Sequence, residues 1–298
     1  VAAATEKLLR ELVANGPPRT READSMSADH PAPASPANDA EPVVITVDAA
    51  DPRYGFGVDV GGSGVKGGIV DLKTGELVGD RFKITTPQPA TPDAVAATVA
   101  QIVDHFGWTG RVGITLPSVV AGRIVRSAAN IDKAWIGIDP YELFGRHLSS
   151  PALSVLNDAD AAGLAEVEYG TNDDAVDGVI IMLTLGTGIG SAVLLPGGQL
   201  LPNTELGHLQ VDGEEAEAQA SSRAKEVNEW SYKHWAGKLS RVLAEYEMLF
   251  SPALFIVGGG ISRKAHKWVP LLTNRTPVVP ATLRNSAGIV GAAMAVAD

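Results

Sequence analysis

Phosphate-handling chemistry is written most densely into Asp59-Val60-Gly61-Gly62-Ser63-Gly64-Val65-Lys66-Gly67-Gly68. Glycine permits positive φ and lets backbone N–H groups approach a bound anion closely, while Ser63 offers a hydroxyl donor and Lys66 a point charge. A second glycine turn, Gly186-Thr187-Gly188-Ile189-Gly190, and a third run, Gly258-Gly259-Gly260, each follow an apolar segment. One such turn is a weak signal, because an ordinary hairpin needs glycine too. Three together describe a cleft in which phosphates are gripped from both sides. Away from the glycines stand Asn157-Asp158, then Thr204-Glu205-Leu206-Gly207-His208, with Glu214, Glu215 and Glu217 beyond it. Asn157 and Asp158 suit either a helix N-cap or a functional pair at a strand end. Glu205 and His208 suit either a surface pair or a pair of hydroxyl ligands, and the acidic residues after them could equally be a solvated helix start.

Gly62, Gly64 and Gly67 also satisfy G-x-G-x-x-G, the dinucleotide fingerprint, which requires a helix to open within the glycines. Here residues 68–72 read as strand and run into the turn Lys73-Thr74-Gly75-Glu76, so the stretch is expected to be a β-hairpin instead. The pattern G-x-x-x-x-G-K-[ST] does not occur. Strands are expected over 54–60, 67–72 and 77–85, joined by short antiparallel turns. A helix over 92–106 aligns Val95, Val99, Ile102, Val103 and Phe106 on one face. A strand over 111–116, a hairpin through Gly122, a helix over 141–148, a strand over 152–156 and a helix over 159–169 follow. The order then repeats, with strands over 178–185 and 191–195 around the second glycine turn. A helical stretch over 216–250, strands over 253–257 and 278–279, and a closing helix over 286–297 complete the chain. Gly61 and Gly186 are too far apart for a solenoid repeat, and the repetition suits two tandem domains of one architecture.

Residues 1–50 differ in composition. Residues 5–13 could form one amphipathic helix, Gly16-Pro17-Pro18 ends it, and the Pro/Ala/Ser/Asp-rich stretch over 27–42 cannot bury a core. A disordered tail is expected, and Met26 leaves open whether residues 1–25 belong to the native protein. A small domain is expected over 51–157 and a large one over 158–298, with a helical insertion over 214–250 and the closing helix 286–298 available to pack on the small domain. Across 298 residues with 45% hydrophobic content and a mean hydropathy of +0.08, a sizeable core can be buried. The net charge of −11 argues against nonspecific binding to nucleic acid or anionic membranes. With no cysteine, disulfides, thiolate metal sites and thiol nucleophiles are all excluded. No membrane-spanning run or signal-peptide pattern is present, which makes the cytoplasm the expected location.

The two hairpins and third glycine run resemble the actin-like sugar kinase superfamily and, within it, the repressor/open-reading-frame/kinase (ROK) family, over about residues 54–298. The family's D-x-G-G-T/S-x-x-K is matched by Asp59, Gly61, Gly62, Ser63 and Lys66, its G-T-G-x-G by residues 186–190, and its third run by 258–260. The resemblance implies an α/β fold of two tandem actin-like (ribonuclease H-like) domains around an interdomain cleft. It implies that Asp59, Gly61, Gly62, Ser63, Lys66, Gly186, Thr187, Gly188, Gly258 and Gly259 hold the phosphoryl donor, with Mg²⁺ near Asp59. It also implies that Asn130, Asn157, Asp158, Glu205, His208 and Glu217 bind the sugar, and that Asp158 is the base accepting the hydroxyl proton. Glu214 and Glu215 stay open as alternatives to Glu217. The family's usual structural zinc needs cysteines that this chain lacks. Gly207-His208 through Asp212-Gly213 to Glu217 resembles cysteine-less members that phosphorylate glucose, and in some cases mannose, from polyphosphate as well as ATP. Arg263, Lys264 and Lys267, with Lys66, are a candidate polyphosphate track, and equally a solvated surface helix. A homodimer is implied as well. A sugar-responsive transcriptional regulator on the same fold is the competing function, disfavoured by the absence of helix-turn-helix patterning in the tail. An actin-like chaperone or filament protein is a third, which would not need Glu205, His208 and Glu217.

Overall fold

The computed structural model describes residues 47–128, 131–170 and 176–296, of which all belong to one contact unit, Val44–Asp298. The tail expected over 1–50 lies almost wholly outside the described residues, as does Asn130. Strand β1 (Tyr54–Gly61) pairs antiparallel with β2 (Gly64–Asp71) along its full length, with Gly61 facing Gly64 at the tip. The expected third strand over 77–85 is broken into β3 (Glu76–Leu77) and β4 (Phe82–Ile84), both paired with β2. Gly79, at a φ of 79°, supplies the bend that separates them. Beyond β1 lie β5 (Val112–Leu116) and β8 (Leu153–Asn157), both parallel, giving the order β3-β2-β1-β5-β8. A small hairpin of β6 (Val120–Ala121) and β7 (Ile124–Val125) branches from the end of β5.

Helix α1 (Pro92–His105) covers one face of this sheet. Proline at its first turn leaves no orphan N–H there, and Val95, Val99, Ile102 and Val103 recur at helical spacing and are buried. Each such side chain contributes about 1.5–3 kcal/mol on burial. Helix α2 (Pro140–His147), capped by the Asp139 carboxylate, closes the same core with Leu143 and Phe144.

The second sheet repeats the plan. Strands β9 (Ile180–Leu185) and β10 (Ile189–Leu194) form a hairpin, β11 (Leu200–Leu201) extends it, and β14 (Leu254–Gly258) and β15 (Val278–Pro280) add in parallel beside β9. The stretch between holds a two-stranded ribbon, β12 (Gln210–Val211) with β13 (Glu214–Glu215), and the insertion. Expected as one helical stretch, the insertion is three helices: α4 (Ala216–Ala220), α5 (Ser222–Val227) and α6 (Tyr232–Phe250). Ser221 and Ser231 each accept a backbone N–H at a new helix start, which fixes the breaks. Trp235 of α6 is fully buried and donates its indole N–H to the Ala220 carbonyl, so its role is packing.

Two helices join the sheets. Helix α3 (Asp158–Ala165) packs on β10, and α7 (Ala287–Met294) packs on β1 and β5 as well as on α3. The helix expected over 159–169 ends early, passing into a π-helical turn over Glu166–Gly170. Gly57 and Gly113 are required by α7, since a Cβ on either would fall into the carbonyl of Ile289 or Ala292. Some glycines near the first motif therefore serve helix-to-sheet contact instead of phosphate binding. The result is two actin-like α/β domains facing one another across α3 and α7.

Candidate active site

At the seam between the sheets, β8 ends and α3 begins. Asn157 is the N-cap of α3: its Oδ1 accepts from the N–H groups of Ala159 and Asp160 at 2.8 and 3.1 Å, and its Nδ2 donates to the Ser118 carbonyl at 3.3 Å. Its amide thus already holds the helix start and the loop after β5. Asp158, the first helical residue, accepts the Ala159 N–H at 2.9 Å. Burial pushes its carboxyl up to about 7, and the negative charges of Asp59 and then Glu205 add to the rise, against the pull of the Ala159 N–H. A helix N-terminus favours a carboxylate, so desolvation outweighs the dipole here.

Asp59 reaches this seam from β1. Its Oδ1 accepts from the Thr115 hydroxyl and its Oδ2 from Lys66 Nζ, both at 3.1 Å. Register explains the cluster, because Asp59 stands opposite Lys66 on β2 and beside Thr115 on β5. At the hairpin tip Gly62 and Ser63 are exposed, and the Thr86 hydroxyl holds the Gly61 carbonyl at 2.5 Å. The second turn, with Gly186 and Thr187, joins β9 to β10. There Glu217 accepts the Ile189 N–H at 3.1 Å, and its carboxylate lies where a Cβ on Gly188 would stand. Gly258 ends β14, which lies beside β9, and Gly259 follows it at a φ of 83°.

The loop carrying Glu205 and His208 is braced from three directions. Ser191 donates to the Thr204 carbonyl at 2.7 Å and accepts the Leu206 N–H at 3.0 Å, and Tyr246 donates to the Leu206 carbonyl at 2.7 Å. Gly207 lies so close to the Ile189 carbonyl that any side chain would collide with it. Partial burial and the charge of Glu217 raise the Glu205 carboxyl above its ordinary range, against the pull of His208. His208 Nδ1 lies 3.4 Å from Glu215 Oε2, while Glu214 is exposed on β13. His208, Glu215 and Glu217 can each offer one ligand atom within 4.8 Å of the others, a set able to hold a cation.

Two residues that sequence reasoning missed tie these parts together. Asp160 is buried and accepts the Asn203 N–H at 2.7 Å; burial raises its carboxyl to about 6, with Asn203 opposing and Glu205 adding. The Asn203 side chain accepts the Val120 N–H at 2.9 Å and donates to the Val120 carbonyl at 3.0 Å. Asn203 adopts a left-handed φ of 61°, which asparagine tolerates better than most residues, and the Pro202-Asn203 turn was the only signal. It links β6, on the first half of the chain, to the loop that carries Glu205. Arg263, Lys264 and Lys267 are exposed on a 3-10 helix, Gly260–Lys267.

Two repeated domains with glycine turns on both sides of a carboxylate at a helix start define an actin-like kinase architecture. A model of the ROK family matches residues 55–224, more than half of the chain, and the chain belongs to that family. It is 59% identical over 254 residues to a polyphosphate glucokinase of Mycobacterium tuberculosis (strain CDC 1551 / Oshkosh), covering 85% of this chain and 95% of that protein. Its structure is similar to a crystal structure of an inorganic polyphosphate/ATP-glucomannokinase from Arthrobacter sp. strain KM. The TM-score is 0.76 at 49% identity, over 82% of this chain and 98% of the other. A ROK family glucokinase from Streptomyces griseus, in complex with glucose and AMPPNP, gives 0.67 at 25% identity, over 81% and 98%.

Proposed function

We propose that this chain is a glucokinase that transfers the terminal phosphoryl group of inorganic polyphosphate or ATP to the 6-hydroxyl of glucose, with mannose as a second acceptor. The observation that carries the reading is Asp158, a carboxyl poised near neutrality at a helix start, facing Asp59 of β1 and Glu205 of the loop after β11. A base titrating near working pH has the right balance of ionised fraction and proton affinity, and such assistance is worth about 10²- to 10⁴-fold. The 6-hydroxyl gives its proton to Asp158 as its oxygen attacks the terminal phosphorus, and the remainder of the donor leaves. Glu205, His208 and Glu217, with Asn130 and Asn157, orient the sugar. The turns at 61–63, 186–188 and 258–259, with Ser63, Thr187 and Lys66, hold the donor, and closure of the lobes excludes water.

The donor set around Asp59 fits a magnesium ion held through water. Each Asp59 oxygen accepts one hydrogen bond and keeps a lone pair for a water ligand, and Mg²⁺ retains several of its waters. When bound, the ion would neutralise charge on the phosphoryl oxygens. The relatives' names support polyphosphate and ATP as donors. In the same reading, residues 51–157 and 158–298 are the small and large domains, and the protein is a cytoplasmic homodimer without nucleic-acid partners. No helix among the described residues is long and apolar enough to cross a membrane. A coupled glucose 6-phosphate assay comparing ATP with long-chain polyphosphate, repeated with mannose, tests the proposal. Glucose 6-phosphate is expected from both donors, and none from either would overturn it.

A further inference from the structure

The hairpin tip carries a cation that the glycine motif does not contain. Lys83 lies on β4 directly opposite Lys66 on β2, so the two ammonium groups share one face of the sheet. Lys66 is paired with Asp59, whereas Lys83 has no hydrogen bond or ion pair among the described residues. Its side chain lies across Gly64: a Cβ there would collide with Lys83 Cε and stand 3.1 Å from Nζ. That contact covers Gly64, leaving Gly62 and Ser63 as the exposed part of the tip. Like charges directly opposite on neighbouring strands are unfavourable, and here one acid faces two lysines. Thr115, Asp59, Lys66 and Lys83 therefore form a polar row across β5, β1, β2 and β4, with its uncompensated positive charge at the edge beside the turn.

We infer that Lys83 is a donor-binding residue, its ammonium group contacting the phosphate chain that the Gly62-Ser63 turn holds, and that Gly64 is glycine so that this side chain can lie over the hairpin. The inference deepens the kinase reading and rests on it for the identity of the anion. A chain of phosphates presents a run of negative oxygens, and Lys83 supplies charge next to backbone N–H groups that hold one phosphate alone. Lys83 is exposed on a three-residue edge strand, so replacing it leaves the core intact.

The test measures binding of inorganic tripolyphosphate and of long-chain polyphosphate to the full chain, by titration at several salt concentrations, alongside steady-state kinetics. Lys83→Gln is expected to weaken polyphosphate binding about tenfold and to make its salt dependence shallower, with the KM for glucose and the melting temperature unchanged. Lys83→Arg should restore most of the affinity. Polyphosphate affinity and salt slope equal to wild type in Lys83→Gln would overturn the inference, as would a glucose KM that rises in step with the donor KM. A wild-type chain that binds polyphosphate but phosphorylates no sugar would count against the kinase reading, while the Lys83 contact is still decided by the binding titrations.

Discussion

The turns at residues 61–64 and 186–190 occupy equivalent places, each closing a hairpin whose first strand has a parallel neighbour, yet their surroundings differ in sign. The first is flanked by Lys66 and Lys83, with Asp59 between Lys66 and Thr115. The second is held by a carboxylate, Glu217, on the Ile189 N–H. The repeated backbone thus supplies two clamps, and the side chains divide the work between them. In the proposed reaction the first clamp meets the charge of the donor. The second ties a donor turn to the acceptor pocket, because Glu217 also raises the Glu205 carboxyl and the Gly207 backbone lies against Ile189.

The largest effect that would break this contrast is expected from Gly207→Ala. The new Cβ would strike a backbone carbonyl, which cannot swing aside, so a loss of about 1–3 kcal/mol in stability is expected with a large rise in glucose KM. Calorimetry with glucose titration checks both, and unchanged glucose affinity would detach the loop from the pocket. Next comes pH. Proton abstraction needs ionised Asp158, so kcat/KM for glucose should climb through about pH 7 and level off above it. Asp59→Asn removes a charge that holds this value up, and the rising limb should move to lower pH; a limb that stays in place would show that Asp59 does not reach Asp158. The smallest expected effects are the most discriminating. Gly64→Ala displaces Lys83 and Gly188→Ala displaces Glu217, both by pushing on the far end of a flexible side chain. Each should cost about fivefold, the first in donor KM and the second in glucose KM. Parallel steady-state measurements on the two variants would sharpen the division of labour, and identical responses would erase it.

Much of this was legible from residue types. The β1-β2 hairpin, the repeat of the plan and the helix start at Asn157-Asp158 follow from local pattern, because glycine spacing and apolar runs are properties of adjacent residues. What was not legible depends on register between strands distant in sequence. Nothing near Asp59 in the chain points to Thr115; only the sheet places them side by side. The braces from Ser191, Tyr246 and Asn203 were hidden for the same reason. The need for glycine at Gly57 and Gly113 was hidden as well, because the α7 carbonyls that a Cβ there would strike come from the far end of the chain.

The central claim is that Asp158 is a half-buried base at the meeting point of the two clamps. Its raised value means the folded state holds a proton that the unfolded chain releases between about pH 4 and pH 7, so this group lowers stability progressively as pH rises through that window. Asp158→Asn separates chemistry from structure in one experiment: turnover in the coupled assay, with glucose affinity and melting temperature measured on the same preparation at pH 8. The account predicts turnover lower by about 10²- to 10⁴-fold, glucose binding largely intact and a melting temperature equal to or above wild type. Near-normal turnover in a folded, glucose-binding Asp158→Asn variant would contradict it.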